Sequence, residues 1–286
     1  MAPVTRRSEV SELEADEAST SVQARLDAVL GGIEGPLAVA VSGGVDSVTL
    51  ATFAHGAAGC RVEVFHAVSA AVPEEATERV KRLALDQGWQ LRIVDAREFA
   101  DESYLANPVD PCFFCKTNLY GCIARHTDAQ ILSGANLDDL GEYRRGLNAA
   151  KLHSVRHPYL EANIDKKAVR SLARDLGLGD LSELPAAPCL SSRVETGMAI
   201  RPEVLKAIHA VEQSIGKHFP TGIVRCRVRA KGVVIELDHE TLAAIAGERE
   251  DEVRSNAKRI FAGIASTLDL SFEPYRNGSA FIHSRV

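Results

Sequence analysis

Residues 38–47 read Ala-Val-Ala-Val-Ser-Gly-Gly-Val-Asp-Ser, and no other run constrains the fold as much. The apolar stretch from Leu37 to Val41 has the length of a short buried strand. It feeds a Gly-rich turn, and Val48 to Phe53 continue as a helix. A strand, a tight loop and a helix N-terminus in direct succession form a cradle for an anion. Amide N–H groups point inward there, and the helix end adds partial positive charge. Gly43 and Gly44 let the backbone approach an anion closely. Ser42 and Ser47 can donate hydroxyl hydrogen bonds to phosphate oxygens. Asp46 is the odd member, because a carboxylate beside phosphates needs a cation between them, and Mg²⁺ suits that place.

The rest of the chain agrees with an α/β fold. Ser21–Ile33 carries Val22, Leu26, Val29 and Leu30 on one helical face. Strands are expected at Leu37–Val41, Arg61–Val68, Gln90–Val94 and Ala129–Ser133, and helices at Pro73–Gly88 and Cys112–His126. Alternating strands and helices predict a doubly wound parallel sheet, which binds ligands at the carboxyl ends of its strands. Asp165–Leu176 reads as a further helix, and Leu178–Gly197 as a long ordered loop. After Arg201-Pro202 the pattern becomes a small α+β domain. It has a helix at Glu203–Ile215, strands at Val224–Arg229 and Val233–Asp238, a largely helical stretch Glu240–Thr267 and a last strand at Leu268–Phe272. The expected organisation is a disordered leader at 1–20, a nucleotide domain at 21–180, a cysteine-bearing linker at 181–201 and a substrate or oligomerisation domain at 202–286. The chain has 286 residues and a formal net charge of -6, which gives no global support for nucleic-acid binding. No apolar run reaches the about 18 residues of a membrane span, and the polar start lacks a hydrophobic signal core. These features predict a cytoplasmic protein.

A second polar rim follows the fourth strand at Ser133-Gly134-Ala135-Asn136-Leu137-Asp138-Asp139. Gly134 can admit a nucleotide at close range, and Asp138 or Asp139 can help to hold Mg²⁺. An Asx turn capping the next helix explains the same residues without a ligand. Arg144 and Arg145 follow on a loop, where they can meet phosphates or pair with the neighbouring acids. Six cysteines lie at 60, 112, 115, 122, 189 and 226. Cys60, Cys122 and Cys226 fall within expected strands or helices and read as small structural residues. Cys112 and Cys115 form a C-x-x-C at a helix start beside Lys116, and helix N-termini and lysines lower a thiol's pKa. Cys189 sits in the long loop near Arg193. A zinc site would want a fourth ligand, and no spacing supports His153 or His157. Three thiolates suit a [4Fe–4S] cluster with one open iron better. Arg225, Arg227 and Arg229 alternate along a strand and share one face. Three guanidinium groups there suit a phosphate-bearing mononucleotide, and a sheet face balanced by acidic neighbours explains them equally.

The run S-G-G-V-D-S lacks the lysine of a Walker loop and resembles the signature of the PP-loop ATP pyrophosphatases, which split ATP into AMP and pyrophosphate. Together with N-P-x-x-x-C-F-F-C-K, G-x-N-x-D-D-L-G-E-Y-R-x-G-L and P-C-L-S-S-R, it resembles the LarE family of ATP-dependent sulfur transferases. The resemblance spans about Leu26 to Asp238 and departs from the pattern at Arg145, where Pro is expected. It implies adenylation of a carboxylate of pyridinium-3,5-biscarboxylic acid mononucleotide and its conversion to a thiocarboxylate, on the way to the nickel-pincer nucleotide cofactor. It implies a pyrophosphate and Mg²⁺ site at Ser42, Gly43, Gly44, Asp46 and Ser47, and in the reaction that follows Lys116 is expected as a charge stabiliser near the α-phosphate. Cys189 matches the sulfur-donating cysteine. Cys112 and Cys115 match a subtype that is thought to hold a [4Fe–4S] cluster through three cysteines. A small-molecule substrate, an external sulfur donor and a homo-oligomer are the expected partners. Three rivals stand beside this reading: a tRNA thiolase, an ammonia-dependent amide-forming synthetase and a non-catalytic nucleotide sensor.

Overall fold

The computed structural model describes residues 22–57, 61–140, 146–185, 188–220, 222–264, 269–276 and 278–280. The expected leader at 1–20, Cys60 and Arg144 lie outside the described residues. In chain order the elements are α1 (22–31), β1 (Leu37–Ala40), α2 (Val45–Gly56), β2 (Val62–Ala67), α3 (Glu74–Gln87), β3 (Gln90–Val94), α4 (Glu102–Leu105) and α5 (Pro111–Ala124). Then come β4 (Gln130–Ser133), α6 (Gly146–Leu152), α7 (Pro158–Glu161), α8 (Lys166–Asp175), α9 (Pro202–Gly216), β5 (Val224–Arg229), β6 (Gly232–Leu237), α10 (His239–Ile245), α11 (Glu248–Ile260) and β7 (Leu270–Pro274). They form two compact units. The first comprises 1–67, 74–96 and 116–187, and the second 68–73, 97–115 and 188–286.

The first unit holds a four-stranded sheet in the order β3-β2-β1-β4, with every pair parallel. This is the doubly wound α/β arrangement that the alternating pattern predicts. β1 and β4 are short buried runs because helices cover them, while β3 at the sheet edge is largely exposed, and Val39, Val64 and Leu132 are fully buried in one core with Leu50, Ile164 and Leu172. After β1 the chain builds β2 and β3 on one side, then returns to place β4 on the other. The crevice between the carboxyl ends of β1 and β4 is therefore the switch point where such sheets bind ligands. α8 starts where Asp165 caps it by accepting the N–H of Ala168 at 2.7 Å.

The second unit has its own core of Leu205, Ile208, Val211, Cys226, Ile235, Leu237 and Phe261. β5 and β6 form an antiparallel hairpin with Arg229 opposite Gly232, and β7 adds to β6 in parallel. The helical stretch after β6 is broken at Gly247, whose positive φ of 87° ends α10 and lets α11 begin. Segments 68–73 and 97–115, which the sequence reading placed in the nucleotide domain, pack in this unit. The N–H groups of Leu190, Gly197 and Ile200 donate to the carbonyls of Ala71, Asn107 and Leu105 at 2.9, 2.8 and 2.8 Å. The long loop is thus ordered by backbone pairing with earlier chain.

Gly232 opens β6 at φ 136°, and a Cβ there would run into the Asp269 carbonyl. Gly232→Ala is expected to destabilise this unit by about 2 kcal/mol, seen as a lower urea midpoint at unchanged slope.

Candidate active site

The loop between β1 and α2 is shaped by three local features. Gly43 adopts φ 84°, and a Cβ on it would lie 2.9 Å from the Ala76 carbonyl. The hydroxyls of Ser42 and Ser47 meet at 3.2 Å, and Ser47 Oγ also accepts the Ser42 N–H at 3.1 Å. Gly44 occupies the N-cap of α2 with no side chain to cap it. The first amide groups of α2 consequently have no side-chain cap, as an anion-binding helix end requires.

β4 brings the second rim against this loop. A Cβ on Gly134 would lie 2.9 Å from both the Asp46 carbonyl carbon and the Ser47 nitrogen. What Gly134 admits closely is the loop's own backbone. Asn136, buried, donates through Nδ2 to Asp46 Oδ1 at 3.2 Å, and Lys166 Nζ pairs with Asp46 Oδ2. Tyr159 donates its hydroxyl to the Asp46 carbonyl at 3.2 Å, and complete burial keeps that phenol protonated. Asp138 and Asp139 both accept backbone N–H groups. Asp138 Oδ2 accepts the Lys166 N–H at 2.6 Å, and Asp139 Oδ2 accepts the Asn136 N–H at 3.1 Å.

Asn136, Tyr159 and Lys166 received no role from the sequence. One signal was available for Lys166. A lysine in the first turn of a helix opposes the helix dipole, so its position called for a carboxylate partner elsewhere. Lys116, half-buried on α5, lies against Gly146, and its charge helps to hold His157 neutral. His157 in turn pairs through Nδ1 with Ser133 Oγ at 2.8 Å, at the end of β4.

An Mg²⁺ ion at the loop would take Asp46 as its carboxylate. That side chain is 28% exposed, so it is open to an ion that keeps waters and shares phosphate oxygens. Among the described residues no three of His, Cys, Asp and Glu are grouped to hold a metal ion. Cys112, Cys115 and Cys189, the three thiols expected to hold a cluster, all fall in the second unit. Cys112 is exposed, while Cys115 and Cys189 are half-buried against its core. Cys122 and Cys226 are buried, as structural thiols are, and burial pushes the Cys226 thiol well up.

The backbone that carries Cys189 is held tightly. Arg193, 3% exposed, grips Glu212 through Nε at 3.0 Å and Nη2 at 3.2 Å. Its Nη1 donates to the Pro188 carbonyl at 2.9 Å and to Ser192 Oγ at 2.8 Å. Glu212 also accepts the Cys226 N–H at 2.9 Å, which ties the thiol loop to β5. On the other side Tyr104 and Ser191 share a 2.5 Å hydrogen bond. Burial, and then the nearby Cys189 and Cys115, raise the Tyr104 pKa, so this hydroxyl keeps its proton.

The three arginines of β5 share a face, but Arg227 and Arg229 are charge-balanced. Arg227 Nε pairs with the fully buried Glu236 at 2.9 Å, and Arg229 pairs with Glu236 at 2.7 Å and Glu273 at 3.3 Å. Arg225 is half-buried, with its guanidinium carbon 5.9 Å from the Tyr275 ring centre. The three cations thus do not present one open anion site.

Burial lowers the pKa of His66 and His157 below the usual 6.5, with Lys81 and Lys116 respectively adding to the effect. The unfolded chain therefore takes up these protons first as pH falls. Stability is expected to decline as pH drops below 6.5 and to level off once each folded-state pKa is passed. His66→Gln or His157→Gln should flatten that slope in denaturation midpoints measured against pH.

No family model matches the chain. It is similar to an uncharacterized protein of Synechocystis sp., at 32% identity over 244 residues, covering 84% of this chain and 90% of that protein. An uncharacterized protein of Methanocaldococcus jannaschii is 25% identical over 173 residues, covering 59% and 67%. The pyridinium-3,5-bisthiocarboxylic acid mononucleotide synthase of Lactiplantibacillus plantarum is 29% identical over 195 residues, covering 65% and 70%. No described helix is long and apolar enough to cross a membrane.

Proposed function

Since the chain belongs to one family with the Synechocystis protein and is a distant, LarE-like homologue of the Lactiplantibacillus synthase, we propose that it is an ATP-dependent sulfur transferase of nickel-pincer cofactor synthesis. Its substrate would be pyridinium-3,5-biscarboxylic acid mononucleotide. The observation that carries the reading is the uncapped Gly-rich loop at the β1–β4 switch point, with Asp46 held by residues from two later segments.

The reaction has two stages. A substrate carboxylate oxygen attacks the α-phosphorus of ATP, the bond to the β-phosphate bridge breaks, and pyrophosphate leaves. The amides of Gly43 and Gly44, the hydroxyls of Ser42 and Ser47 and the α2 N-terminus meet the charge that grows on pyrophosphate. Lys116 adds positive charge at the α-phosphate. Mg²⁺, when bound at Asp46, neutralises phosphate charge. The Cys189 thiolate then attacks the acyl carbon and AMP leaves, forming a thioester. A base removes the Cα proton of Cys189 as its Cβ–S bond breaks, which leaves a thiocarboxylate and a dehydroalanine. Arg193 and Glu212 hold the Cys189 backbone for this attack. Arg225, Arg227 and Arg229 on β5 are the candidates to meet the substrate phosphate. In the other form of this reading Cys112, Cys115 and Cys189 would hold a [4Fe–4S] cluster, whose added sulfide would supply the sulfur in place of Cys189.

Cys189→Ala is expected to release pyrophosphate from ATP with this substrate while making no thiocarboxylate. The unsubstituted chain should lose the mass of H₂S at Cys189 after one turnover. Absence of pyrophosphate release with this substrate would overturn the reading. Release that depends on tRNA or ammonia would favour the rival enzymes, and ATP binding without any release would favour a sensor.

A further inference from the structure

α3 braces the loop at three points, all outside the signature that identified it. His66 links Thr77, at 3.0 Å, to the Val41 carbonyl, at 2.8 Å, where β1 runs into the loop. Ala76 fills the space a Cβ on Gly43 would need. Arg79, half-buried, donates through Nη1 to the Gly43 carbonyl at 2.9 Å. We infer that Arg79 is a positioning residue for the pyrophosphate of ATP: by holding the Gly43 carbonyl, it turns the Gly44 N–H toward the phosphate. The inference rests on the loop reading given above.

In a trans peptide the C=O and N–H point in opposite directions. With the Gly43 carbonyl bound to Arg79, the Gly44 N–H faces the side where the Ser42 and Ser47 hydroxyls meet. Its present acceptor is Ser42 Oγ at 3.4 Å, a long bond that a phosphate oxygen can replace. Both residues of this peptide are glycines, so the backbone itself offers little resistance to a flip. A flipped peptide would present a carbonyl oxygen to the phosphate and repel it. A guanidinium bond to that carbonyl is charge-assisted and opposes the flip strongly.

Calorimetric titration of the full chain with inorganic pyrophosphate and, separately, with AMP tests this. Arg79→Met removes the donor and keeps the apolar stem. Arg82→Met removes an equal charge from an exposed position on the same helix. Arg79→Met is expected to weaken pyrophosphate binding by about tenfold or more and AMP binding by less than about twofold. Arg82→Met should leave both unchanged, and Arg79→Lys, which keeps a donor, should recover part of the loss. Unchanged pyrophosphate affinity in Arg79→Met, a parallel loss of AMP binding, or equal weakening by Arg82→Met would overturn the inference. If Arg79→Met does not fold by circular dichroism, Arg79→Lys decides: pyrophosphate binding as tight as in the unsubstituted chain overturns it. An unsubstituted chain that binds neither pyrophosphate nor ATP removes the loop reading, and the inference with it.

Discussion

The first unit depends on the close approach of two backbones, the Asp46–Ser47 segment and Gly134. That contact exists because the strand order places β1 and β4 side by side and parallel, with Ala40 paired to Ser133. Both strands end at the same level, so the loops that follow them meet. The absence of a Cβ at Gly134 lets them meet at backbone distance. Once they do, Asn136 reaches the Asp46 carboxylate, and α8 delivers Lys166 to its other oxygen. The partly exposed aspartate thereby has a defined orientation before any ligand arrives, which lowers the ordering cost of binding.

The second unit is organised by ion pairs taken out of water. Such pairs hold only where the geometry is good and the remaining donors are satisfied. Arg193 meets that condition, because its planar fork covers both Glu212 oxygens while its remaining nitrogen binds Pro188 and Ser192. A lysine could not make this set of bonds. Glu236 plays the same part on the sheet face, where Arg227, Arg229 and Ser279 share its two oxygens. Charges that look like a binding surface when read along β5 are largely a means of packing that face.

Much of the fold was legible. The alternation of apolar runs and amphipathic stretches located every strand of both sheets to within a residue or two, because period and length are local properties. The phosphate loop was legible for the same reason, since its glycines, serines and aspartate are contiguous. The domain plan was harder to read. The chain at 68–73 and 97–115 belongs with the C-terminal unit through backbone bonds such as Gly197 to Asn107. Backbone groups are identical in every residue but proline, so no residue type announces such pairing.

The sequence by itself determined that a strand, a Gly-rich anion loop and a helix follow one another, and that Cys112, Cys115 and Cys189 lie next to prolines and turn signals. Adjacent residues carry that information in their own conformational preferences and chemistry. Tertiary structure decided which partners meet. Lys166 finds Asp46 across 120 residues and Tyr104 finds Ser191 across 87. It also placed Arg227 against a buried glutamate. Those encounters follow from strand order, register and long-range backbone pairing, which arise only when distant segments pack.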